Sequence, residues 1–143
     1  MKLTENFTLE ELTHSDYATR HGIKNIPSPQ IVQNLTKLAQ TLEQVRALIG
    51  APININSGYR GLELNRAMKG APNSGHLLGW AADFTARRFG SPDKIVREII
   101  KSGIKYDQLI EEGTWVHLSI DPKMRQQTLK ATFGRRVTYS EFK

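Results

Sequence analysis

The sequence predicts an α+β fold, a single domain over residues 1–143 with N-terminal helices packed on a small antiparallel sheet. Apolar residues recur at helical spacing through residues 29–50. Two alternating stretches, "YDQLIEE" and "TWVHLSI", follow one another with almost nothing between them, as strands of a hairpin do. Helical patterns come first and the hairpin last, the order of a domain that segregates its helices from its sheet. A chain of 143 residues buries roughly 68–70% of the surface its unfolded form exposes, so its core needs no staples. With no cysteine, it has neither disulfides nor thiolate metal sites.

Each element has its own signal. Thr8 and Glu11 form a capping box, so "FTLEEL" opens a short helix that runs to about Ser15 and carries His14. Gly22, Pro27 and Pro29 mark a loop. Ile31, Leu35, Leu38, Leu42, Val45 and Leu48 then form the apolar stripe of the clearest helix. Pro29 suits its first turn and Gly50 its end. "PININSGYR" reads as a short strand leading into a turn, "LELNRAMK" as a short helix and "PNSGHLLG" as a loop. "WAADFTA" is a strand, and "SPDKIVREIIKSG" a helix with Ser91 at its cap and Gly103 just past its end. After the hairpin, "VTYSEF" is a last edge strand.

The formal charge of +6 favours polyanionic partners: nucleic acid, an anionic membrane surface or an acidic wall polymer. Nucleic acid fits poorly. The best helix, 29–49, carries only Lys37 and Arg46 against Glu43, and basic and aromatic residues do not interleave. No segment approaches the ~18 apolar residues of a membrane span, which argues against stable membrane insertion. "MKLTENFTLEEL" shows no apolar core or cleavage site of a signal peptide. The expectation is a monomer made in the cytoplasm without a signal peptide.

The chemistry concentrates in "SGHLLGWAADF", residues 74–84. Asp83 sits between Ala82 and Phe84 in an apolar strand, where a carboxylate is costly to bury unless a cation receives it. In "TWVHLSI", alternation puts Val116, Leu118 and Ile120 on a core face and Trp115, His117 and Ser119 on the other. Ala81 and Asp83 share a face in the same way, and His76 can fold back over that strand if Gly79 allows the turn. Two histidines and one carboxylate make the three-ligand set of an open hydrolytic zinc site. The same spacing also fits a hydrogen-bonded His–Asp pair with no metal. His14 and His21 read as solvated or capping residues.

"SGHLLGWAADF" resembles the Ser-x-His-x-x-Gly-x-Ala-x-Asp signature of a zinc peptidase family. That family holds the D-alanyl-D-alanine carboxypeptidases and the phage L-alanyl-D-glutamate endolysins. "SGYR" and "WVHLS" resemble two more of its blocks in the right order. "FTLEEL", "GIKNIPSP" and "LAQTLEQVR" are similar to the helical region of its carboxypeptidase-like, phage-associated branch. The resemblance covers about residues 7–120 and implies a Hedgehog/DD-peptidase-like fold. It implies one zinc ion on His76, Asp83 and His117, with Ser74 and Gly79 as supporting residues; Trp115, beside His117, is expected to support the site too. Arg60 would grip a substrate carboxylate or carbonyl oxygen.

Such a hydrolase also needs a general base. Some members carry a glutamate three residues before the last histidine, where this chain has Thr114. The branch it resembles places one at the end of the preceding strand, which makes Glu112 the candidate and Glu111 its rival. A two-residue loop at Gly113-Thr114 puts Glu112 on the His117 face, while a three-residue loop would favour Glu111. The implied reaction is hydrolysis of amide bonds in the peptidoglycan stem peptide, by a phage endolysin-type endopeptidase. The alternatives are a D-alanyl-D-alanine carboxypeptidase and a non-catalytic zinc-containing wall-binding module. The expected partner surface is anionic cell wall or outer membrane, reached by holin-type release or virion delivery.

Overall fold

The computed structural model describes residues 1–143. The capping box forms as expected: the Thr8 hydroxyl accepts from the Glu11 N–H at 3.1 Å and the Glu11 carboxylate from the Thr8 N–H at 3.0 Å. The helix it opens, α1 (Leu9–Thr13), stops before Ser15, and His14 is extended rather than helical. Ser15 instead caps a second helix, α2 (Asp16–Arg20), by accepting from the Ala18 N–H at 3.1 Å. A five-residue helix completes little more than one turn, too few residues to show a period in the sequence. The long helix α3 (Pro29–Ile49) matches its stripe, with Ser28 as cap and Gly50 left-handed at its end. Ile49, not Leu48, completes the buried row.

The other helices are α4 (Leu62–Ala67) and α5 (Pro92–Ser102). The strands are β1 (Asn54–Ser57), β2 (Ala81–Thr85), β3 (Gln108–Glu111), β4 (Val116–Ser119), β5 (Gln127–Phe133) and β6 (Val137–Glu141). They form one sheet in the order β1-β2-β4-β3-β5-β6. This sheet is larger than expected and not wholly antiparallel, because β5 runs parallel to β3. β5 escapes the sequence pattern because it buries little besides Ala131, so polar and apolar residues stand on both of its faces.

One face of the sheet carries the core. Ala82, Phe84, Leu109, Val116 and Leu118 pack with Leu38 and Leu42 of α3 and Ile95 and Ile99 of α5. The intervening residues of β2, β3 and β4 therefore point to the opposite face, where the chemistry-bearing side chains lie. The β3–β4 hairpin sets their register: Ile110 is opposite His117 and the Glu112 N–H donates to the Trp115 carbonyl at 3.0 Å. The Thr114 N–H donates to the Glu112 carbonyl at 3.1 Å around Gly113, whose φ of +84° suits a γ-turn.

The entry to β5 is tied to the start of β3 by an ion pair between a buried carboxylate and a half-exposed arginine. Asp107 is 2% exposed, and its carboxylate accepts from Arg125 Nε and Nη2, each at 2.9 Å, and from the Arg125 backbone N–H at 3.0 Å. These bonds from Arg125 hold the Asp107 carboxyl below its ordinary range despite burial. A pKa lower in the folded state contributes stability above the unfolded value of ~3.9, and loses it as pH falls through the folded value. Asp107→Asn is expected to cost about 1–3 kcal/mol at pH 7 and to make the acid decline shallower. Thermal melts from pH 7 to pH 2 check this; a variant melting in parallel with the parent would contradict it.

Candidate metal centre

The sheet register lines up the central residues. Asp83 of β2 lies opposite His117 of β4, His117 opposite Ile110 of β3, and Ile110 beside Leu129 of β5. His76 arrives from the segment before β2, which is a 3-10 turn (Gly75–Leu78) rather than the expected loop. Ser74 caps that turn, its hydroxyl accepting from the His76 N–H at 3.2 Å. Gly79 ends it at φ +77°, a conformation glycine adopts without steric cost. A Cβ there would lie 3.0 Å from Ile31 Cγ2 and 3.1 Å from Leu35 Cγ, so only glycine lets the turn press on α3. Asn34 fastens it further by donating to the Leu78 carbonyl at 2.8 Å.

The imidazole of His76 is 2% exposed, and its Nδ1–H donates to the Gly58 carbonyl at 2.7 Å. That bond fixes the ring and leaves Nε2 as a lone pair, 3.5 Å from Asp83 Oδ2. His117 Nδ1 lies 2.9 Å from Asp83 Oδ1. Burial lowers the pKa of His76, favouring the neutral form that binds metals. Burial alone would raise that of Asp83, but the bonds from His117 and His76 outweigh it and hold the carboxyl far below its usual range. One donor atom from each of the three residues falls within 4.8 Å of the others. Tetrahedral ligands ~2.1 Å from a zinc ion would stand about 3.4 Å apart. The donor set fits such an ion in number, chemistry and spacing.

These residues line a cavity of about 560 Å³ that also takes in Arg60, Ser74, Glu112 and Trp115. Glu112 is 8% exposed; burial raises its pKa, with His117 opposing and Asp83 and Glu111 adding to the rise. Glu111 does not line the cavity. One of its oxygens accepts from the Gly113 N–H at 2.6 Å, and the other lies 3.7 Å from Lys130 Nζ. Arg60 enters the cavity with its Nε buried and unpartnered, a donor left over once the protein's own bonds are made. Burial lowers its pKa, and the Asp83 charge acts in the opposite direction.

A segment from residue 5 to residue 119 matches the family described as Peptidase M15. The chain belongs to the peptidase M15 family. No individual curated protein matches it. The peptidases of this family are zinc-dependent, and the His76–Asp83–His117 group is where this member has the donors to hold a metal ion. The protein is thus a metallopeptidase by family. β5 and β6 lie beyond the matched segment.

Three parts of the site escaped the sequence reading. The Gly58 carbonyl, rather than Ser74, orients the His76 ring, and a Cβ at Gly58 would come within 2.3 Å of the Leu12 carbonyl oxygen. Its glycine in "SGYR" was the available signal. Tyr139 of β6 lines the cavity too, on a strand whose neighbour β5 was not foreseen. Asn25 holds the turn around Arg60. It donates to the carbonyls of Thr13 and Tyr59 at 2.8 and 2.9 Å and accepts from the Gly61 N–H at 2.7 Å. Asn25→Ala removes all three bonds, so this peptidase is expected to lose about 1–3 kcal/mol of stability. Its kcat/KM should fall while metal content stays intact. Equal kcat/KM in variant and parent would show that Asn25 does not hold Arg60 in place.

Proposed function

We propose that this peptidase hydrolyses amide bonds of the peptidoglycan stem peptide as an endolysin-type endopeptidase. The observation that carries the reading is that Glu112 and Arg60 share one cavity with His76, Asp83 and His117. A base, a cation and a metal-binding group then face the same space, which a wall-binding module would not need. The net charge of +6 supports work at an anionic wall or outer-membrane surface, reached by holin-type release or virion delivery.

His76, Asp83 and His117 would hold one zinc ion, which when bound would supply Lewis acidity for a carbonyl and for water, whose pKa such a metal lowers toward ~7. Glu112 takes the proton of the attacking water as the new C–O bond forms. Arg60 donates to the carbonyl oxygen as its negative charge develops, an interaction stronger in the transition state than in the bound peptide. Glu112 then passes the proton to the leaving amine as the C–N bond breaks. Trp115 covers one side of the cavity with apolar surface, and Phe133 braces it at 6.5 Å between ring centres.

Mass spectrometry of products from peptidoglycan and from a defined pentapeptide muropeptide tests the bond. Cleavage after L-alanine is the expected result. Loss of terminal D-alanine alone would make the protein a carboxypeptidase, and no release from either substrate would remove the wall from its function.

A further inference from the structure

The cavity has a wall that the family match does not reach. Leu129 of β5 lies beside Ile110, in the row that runs through His117 to Asp83. Ala131, two residues on, faces the same side as Leu129, and Tyr139 of β6 is directly opposite Ala131. The parity of the strands therefore sets Tyr139 on the cavity face, and its side chain lines the cavity with Glu112, Asp83 and Arg60. Its place along the strands is also set. Phe133, two residues beyond Ala131, packs on Trp115 and sits over Gly113, so this part of the hairpin covers the Glu112 end.

Tyr139 brings to the cavity a hydroxyl that neither Trp115 nor Phe133 has. It is half exposed, at 52%, on the cavity that holds the metal-binding group, of which His76 is buried and Asp83 and His117 are partly so. Burial of the phenol raises its pKa, with the charges of Glu112 and Asp83 adding to the rise, so it stays a neutral O–H donor. A neutral donor beside two carboxylates suits a carbonyl oxygen.

We infer that Tyr139 is a substrate-positioning residue, its hydroxyl donating a hydrogen bond to a carbonyl oxygen of the bound peptide at the Glu112 end of the cavity. The inference rests on the peptidoglycan-peptidase reading above. It gives the β5–β6 hairpin, which lies beyond the family match, a part in the binding site, carrying selectivity for the peptide without entering the bond-breaking step.

The test is calorimetric titration of a disaccharide-tetrapeptide muropeptide into the zinc-loaded full chain carrying Glu112→Gln, which binds without turning over. Adding Tyr139→Phe keeps the ring and removes one hydroxyl, so the expected result is about 3- to 10-fold weaker binding at an unchanged melting temperature. Tyr139→Ala should weaken binding at least as much. Equal affinity with and without the hydroxyl would overturn the role of Tyr139 alone. Weaker binding that tracks a lowered melting temperature would assign the residue to the fold and overturn it too. No binding by Glu112→Gln itself would overturn the substrate reading together with the inference.

Discussion

Asp83→Ala should empty the metal centre and end hydrolysis together. Asp83 is the only anion among the three ligands, and its carboxylate stands within 3.5 Å of His76 Nε2 and 2.9 Å of His117 Nδ1. Removing it leaves two imidazoles with no negative charge between them to attract a cation. The loss of affinity should exceed the ~10–100-fold typical when an outer partner of a metal ligand is removed. Elemental analysis of the purified variant, with release of soluble peptide from peptidoglycan, checks both halves. His14→Ala is the control: its ring pairs with Asp16 at the surface, so metal and activity should both remain. Full metal occupancy in Asp83→Ala would place the ion elsewhere.

Glu112→Gln should behave differently, keeping the metal and losing turnover by about 10²–10⁴-fold, the usual weight of a general base. The glutamine keeps the shape and cannot take a proton. Because burial raises the pKa of Glu112, the acid limb of kcat/KM should lie above ~4.3, the ordinary value for glutamate. Falling pH protonates the base and slows the enzyme, so the limb rises with pH. In the glutamine variant that limb should disappear from the residual rate. Glu111→Gln should retain most of the activity, because its carboxylate is spent on the Gly113 N–H and Lys130. The opposite pattern would mean that Glu111 is the base.

The parts of this site that could be read in the sequence follow from short-range rules. Strand alternation put His117, Trp115 and Ser119 on one face, and all three line the cavity. Hairpin parity separated Glu112 from Glu111, because one residue of loop length moves every side chain to the other face. What stayed hidden depends on long-range contact. Nothing local to Asn25 shows that it will bridge Thr13, Tyr59 and Gly61. Nothing in "SGYR" shows that the Gly58 carbonyl will meet a ring eighteen residues on. β5 was missed because Ala131 is its one buried side chain, which leaves no clean alternation to read although the strand forms a hairpin with β6. With it went Tyr139, which reaches the site only through that strand.

The most direct measurement is a chelation and reconstitution cycle on the intact protein acting on purified peptidoglycan. Peptide release should stop when a chelator removes the metal and return when about one equivalent of zinc is restored. The Asp83→Ala protein should not recover. Hydrolysis that continues in the metal-free protein would contradict a metal centre on His76, Asp83 and His117.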